Sequence, residues 1–132
     1  MEFRSIFLKG ELQMRGQIEI DGKVMDFEAS AMTDHMVDHI FGMNLGYAIQ
    51  HVDGNEDKLP DLIRKLAFVM NKRATLGGWR AVENLTIDDY YDWLDGIDSY
   101  ELETKGEELL NLYAKNKKTS VSPKNMTSPQ AE

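Results

Sequence analysis

The chain has 132 residues, no cysteine and a formal charge of −8, with 42% hydrophobic and 29% charged residues. This is one domain's worth of ordinary globular composition, and the missing cysteine excludes disulfides, thiolate nucleophiles and cysteine-ligated zinc. No apolar run approaches the ~20 residues that cross a bilayer. The polar residues after Met1-Glu2-Phe3 lack the form of a secretory signal, so a cytoplasmic protein without membrane contact is expected.

Residues 2–9 are expected to form a first strand. From 11 to 20 the alternation is strict, with Leu12, Met14, Gly16, Ile18 and Ile20 on one face and polar residues on the other. Asp21-Gly22 suits a two-residue hairpin turn, and Met25, Phe27 and Ala29 continue the apolar face on the return strand. The pairing predicted is Ile20 with Lys23, Ile18 with Met25 and Gly16 with Phe27. After Ser30 the period becomes helical. Thr33 is placed to cap a helix with Met32, Met36, Val37, Ile40 and Phe41 as its stripe, ended by Gly42.

Residues 43–52 fit a loop or a short helix. Pro60 suits the first turn of a helix reaching Arg73, with Leu59, Leu62, Ile63, Leu66, Val69 and Met70 at helical spacing. Gly77-Gly78 breaks it. Thr86 with Asp89 has the form of a capping box, before a stripe of Ile87, Tyr90, Tyr91, Leu94 and Ile97. A last helix, capped by Ser99, turns Leu102, Leu109, Leu110 and Tyr113 inward. The expectation is α+β: an N-terminal antiparallel hairpin or small sheet followed by three or four helices. Residues 1–114 form a single domain and 115–132, almost without apolar side chains, a flexible tail.

No catalytic constellation emerges. His35 and His39 stand four apart, as metal-sharing imidazoles do, with Asp34, Asp38, His51 and Asp53 nearby, but Met36 occupies the place where a zinc protease needs Glu. A solvated helix face explains them better, and neither metal nor cofactor is expected. The glycine clusters at 42–46 and 76–79 lack the Gly-Lys-Ser/Thr of a phosphate loop.

Charge is segregated along the chain. Arg64, Lys65, Lys72, Arg73 and Arg80 lie in an acid-free stretch. Asp88, Asp89, Asp92, Asp95, Asp98, Glu101, Glu103, Glu107 and Glu108 follow with Lys105 alone among them. Such complementarity favours intramolecular pairing or self-association, with Arg64, Lys65, Lys72 and Arg73 meeting Asp88, Asp92 and Asp95 in a homo-oligomer. A chain this acidic is not expected to neutralise nucleic-acid phosphates.

Trp79, Trp93 and Leu112 lie outside the apolar stripes. With Tyr90 and Tyr113 they form the candidate partner-binding set, since amphipathic aromatics on a surface are contact anchors. The alternative for Trp79, Trp93 and Leu112 is burial by a neighbouring helix. Of the eight methionines, Met25, Met32, Met36, Met43 and Met70 fall at or beside core positions, where thioethers fill gaps; the functional alternative is an adaptable contact surface.

Two stretches resemble the tail assembly chaperones of long-tailed phages of Gram-positive bacteria. One is Ile20-Asp21-Gly22-Lys23-Val24-Met25-Asp26-Phe27, followed by a helix and the Gly42-Met43-Asn44-Leu45-Gly46 passage. The other is the acidic helix leading into Glu107-Glu108-Leu109-Leu110-Asn111-Leu112-Tyr113 and a Lys, Ser and Pro tail. The leading residues 1–17 and the middle of the chain depart from that pattern. The resemblance implies a non-enzymatic protein that coats an apolar, helical tape measure protein in the host cytoplasm and keeps it soluble while tail tube subunits assemble. It also implies a frameshifted longer product, with which Lys115-Asn116-Lys117-Lys118 is compatible. The competing expectation is an acidic inhibitor or adaptor that occupies a basic nucleic-acid-binding protein.

Overall fold

Asp21 and Gly22 both take positive φ, 57° and 78°, the backbone of a turn whose twist matches the strands it joins. It connects β1 (Met14–Ile20) to β2 (Lys23–Ala29), antiparallel, with Ile20 opposite Lys23, Ile18 opposite Met25 and Gly16 opposite Phe27. The computed structural model describes residues 14–52, 54 and 56–121, so the strand expected over 2–9 lies outside the described residues. One face of the hairpin buries Ile18, Ile20, Phe27 and Ala29.

The helices follow in order: α1 (Met32–Phe41), α2 (Leu45–Gln50), a short 3-10 turn (Glu56–Lys58), α3 (Leu59–Leu76), α4 (Trp79–Glu83), α5 (Ile87–Asp95), α6 (Ser99–Thr104) and α7 (Gly106–Val121). The architecture is therefore α+β, a two-stranded sheet followed by seven helices among the described residues. The count exceeds the sequence expectation for three local reasons. Asn44 caps the ambiguous 43–52 stretch by accepting from the Tyr47 N–H at 2.9 Å, which makes α2 a helix. Gly78 starts the short α4 after the break. Residues 99–113 are two helices divided at Lys105, the first capped by Asp98 rather than Ser99.

α3 is the hub, touching β2, α1, α4, α5, α6 and α7. Leu62, Ile63, Leu66, Ala67, Phe68, Val69 and Met70 are all buried, so α3 buries a broad apolar face, with Phe68 beyond the predicted stripe, while Arg64, Lys65 and Lys72 keep part of their surface in solvent. Its C-terminus closes at Gly77, φ 81°, whose N–H reaches the Arg73 carbonyl.

Two other expectations change. Thr33 is a buried residue inside α1, not its cap: its Oγ1 accepts from the Ser30 N–H at 3.0 Å. α7 runs through Val121, so the first seven residues of the expected tail, 115–121, are helical; residues 122–132 lie outside the described residues. Among the described residues no helix is long and apolar enough to cross a membrane.

Candidate partner-binding site

The five residues singled out as contact anchors are distributed through the core and its margin. Tyr90 and Tyr113 are each 4% exposed and Leu112 8%. Leu112 lies over β1 at Gly16, with both methyls 3.5 Å from where a Cβ would stand. The bare backbone of the strand is thus covered by α7. The Tyr113 hydroxyl donates to Asp34 Oδ1 at 2.5 Å, tying α7 to the first turn of α1. Burial, and then this carboxylate, push the Tyr113 ionisation far above the ordinary phenol range. Tyr90 meets Phe41 and Phe68 edge-on, with centroids 4.9 and 5.3 Å away. Burial raises its pKa as well.

Trp93 is half-buried. Its ring stands edge-on to Phe68 at 5.5 Å and its Nε1–H donates to Asn71 Oδ1 at 2.9 Å. Its remaining surface, with Met25 and Ile97, lines a shallow hollow of about 260 Å³ beside the hairpin turn. Trp79, also half-buried, lies under the Arg73 guanidinium, 5.2 Å from ring centroid to carbon. Leu112, Tyr90 and Tyr113 are thus buried, while both tryptophans keep part of their surface in solvent.

The basic stretch has acquired partners within the chain. Arg64 binds Glu103 at 2.6 Å and approaches Asp61 at 3.7 Å. Burial works against the Arg64 charge, but Glu103 and the Tyr90 hydroxyl outweigh it and hold its pKa above the ordinary value. Lys65 binds Asp61 at 2.9 Å and overlies the Phe41 ring. Arg73 reaches the buried Glu28 carboxylate at 3.3 Å, which also accepts from Arg15 at 2.6 Å. Lys72 is half-buried on the same helix. Among the described residues Glu103 is the member of the acidic run that forms an ion pair with this stretch; Asp88, Asp92 and Asp95 lie exposed along α5. Complementary charge therefore operates inside the fold at Arg64 and, through Glu28 rather than the acidic run, at Arg73.

The histidines are similarly occupied. His39 Nε2 lies 3.1 Å from the Glu83 carbonyl, and the His35 ring stacks on His39 at 6.4 Å. Among the described residues the grouping of three potential metal-ligating side chains is elsewhere, at Asp21, Asp98 and Glu101.

A further hollow has no counterpart in the sequence reading. It is an open groove of about 660 Å³ between α2 and the start of α3, with apolar walls from Met43, Tyr47, Ala48, Val52 and Leu62. His51, Asp57, Lys58 and Asp61 form its rim. Tyr47 is 62% exposed and stacks on His51, centroids 3.9 Å apart. The sequence signal was weak: no periodic stripe spans 43–52, and only the ambiguity of that stretch marked it. Comparison of the chain with known protein families, curated proteins and solved structures finds no match.

Proposed function

We propose that this protein is a non-enzymatic tail assembly chaperone of a long-tailed phage, acting in the host cytoplasm by stoichiometric contact with the tape measure protein. The observation that carries the reading is the groove at Met43, Tyr47 and Val52. It adjoins the Gly42–Gly46 passage, one of the segments on which the resemblance to those chaperones rests. An apolar wall with a mixed-charge rim suits apolar side chains projecting from one face of a client helix, with flanking polar groups satisfied at the edge. The exposed acids of α5 would keep such a complex soluble. Tail tube subunits are further clients in this reading, and homo-oligomers its working form.

A second reading, an acidic inhibitor of a basic nucleic-acid-binding protein, is favoured by that same row of Asp88, Asp92 and Asp95. Co-expression separates the two. The chaperone reading predicts that an otherwise insoluble tape measure fragment stays in solution and co-purifies with this chain at a fixed ratio. Failure to do so, with salt-sensitive capture of a basic DNA-binding protein instead, overturns the first reading in favour of the second.

A further inference from the structure

The register of the hairpin decides which main-chain groups of β1 are paired. Closure by a two-residue turn makes Ile20–Lys23, Ile18–Met25 and Gly16–Phe27 the pairs that exchange hydrogen bonds. The N–H and C=O groups of Arg15, Gln17 and Glu19 then point away from β2. The same parity turns the Asp26 carbonyl outward on β2, and there Asn71 Nδ2 donates to it at 2.9 Å. Along the outer edge of β1, among the described residues, nothing hydrogen-bonds the main chain. The strand carries no proline or bulge to blunt its edge, and its two charged residues, Arg15 and Glu19, are of opposite sign.

We propose that this edge pairs with β1 of a second copy, antiparallel about a two-fold axis at Gln17, joining two hairpins into one four-stranded sheet. In that register Gln17 faces Gln17 of the second copy, and Arg15 faces Glu19 of the second copy on both sides of the axis. Opposite charges directly across strands attract. Slipping the pairing by two residues sets Arg15 against Gln17 or Gln17 against Glu19 and removes both attractions. A further slip sets like charges against each other. Glu19 is exposed, and the Arg15 side chain keeps 56% of its surface in solvent while binding Glu28, so both are accessible to a second copy. On the other face Gly16 comes opposite Ile18 of the second copy, which extends the apolar surface without a break. This pairing needs no client and does not rest on the chaperone reading.

Because the chain has no cysteine, one introduced thiol reports a single contact. Facing residues of a hydrogen-bonded pair have Cα atoms about 5.5 Å apart, within disulfide reach. Full-length Gln17→Cys is expected to form a disulfide-linked dimer under mild oxidation. Glu19→Cys should not, since its mate lies roughly 14 Å along the strand. Wild type should sediment as a concentration-dependent dimer. Glu19→Arg, at an exposed side chain that makes no hydrogen bond or ion pair among the described residues, should raise the dimer Kd roughly tenfold as two attractions become repulsions, with an unchanged circular dichroism spectrum. A monomer at every concentration overturns the proposal. A dimer that links equally well at both cysteines, or that ignores Glu19→Arg, overturns it in favour of another interface.

Discussion

The indole N–H of Trp93 donates to Asn71 Oδ1, and the Asn71 amide donates in turn to the main-chain carbonyl of Asp26, both at 2.9 Å. One buried side chain on α3 therefore joins α5 to the outer edge of β2, with its oxygen and its nitrogen each matched to the right partner. Asn71→Leu keeps the volume and removes both bonds, leaving the indole N–H and the carbonyl to find water. The expected cost is about 2 kcal/mol in urea unfolding. A change below about 0.5 kcal/mol would mean that the relay contributes little.

Glu28 is 3% exposed and lies between two guanidinium groups. Glu28→Gln preserves shape and removes the charge that both arginines share. Stability should fall by about 2–3 kcal/mol, less than for a wholly buried pair because Arg15 remains largely in water. Arg73 has less freedom to adapt: its Nε is buried without a hydrogen-bond partner among the described residues, and its guanidinium is held against Trp79. Denaturant midpoints of Glu28→Gln and wild type measured side by side decide it. Equal midpoints would show the ion pairs to be energetically silent.

Tyr113 makes the fold sensitive to alkali. An unfolded tyrosine ionises near pH 10, while burial and the Asp34 carboxylate hold the folded hydroxyl protonated well beyond that. Stability is thus fully present below about pH 10 and falls as pH rises above it, because only the unfolded chain releases the proton. Tyr113→Phe should cost about 1.5–2 kcal/mol at neutral pH and show a shallower loss of Tm above pH 10 than wild type. Tyr90, also raised, contributes to the slope that remains. Identical alkaline slopes in the two proteins would remove Tyr113 from this linkage.

Thr86 and Asp89 satisfy each other at the start of α5: the Asp89 N–H donates to Thr86 Oγ1 at 3.3 Å and the Thr86 N–H to Asp89 Oδ2 at 2.8 Å. Thr86→Ala should lower stability by about 1 kcal/mol with the fold unchanged. Thermal unfolding that leaves the variant level with wild type would count against the cap.

The cap and the hairpin were legible because local rules determine both. Turn chemistry at Asp21-Gly22 and strict alternation fix the register, and Thr86-x-x-Asp89 fixes a helix start. Trp93 and Leu112 were not legible, because a single-stripe reading assumes one buried face per helix. α5 turns Tyr90 toward Phe68 and Phe41, yet Trp93 reaches α3 from the margin of that stripe, while Ile87 and Tyr91, assigned to it, are 43% and 60% exposed. Leu112 is buried because α7 crosses a strand at a glycine, a long-range coincidence between positions 16 and 112 that no local period contains. The groove was hidden for a related reason. Its walls come from α2 and α3, and neither segment alone has the pattern of a binding surface.

The role of that groove is tested most directly at Tyr47, which projects from α2 with 62% of its surface exposed and whose backbone, not its side chain, takes the Asn44 cap. The measurement is calorimetric titration of wild type and Tyr47→Ala with a soluble peptide carrying an amphipathic helix of a tape measure protein. Wild type should bind at a fixed stoichiometry and Tyr47→Ala at least roughly tenfold more weakly, as expected for loss of an aromatic anchor, with Tm and circular dichroism unchanged. Binding of equal strength by the two proteins, or no binding by wild type, would contradict the groove as the client site.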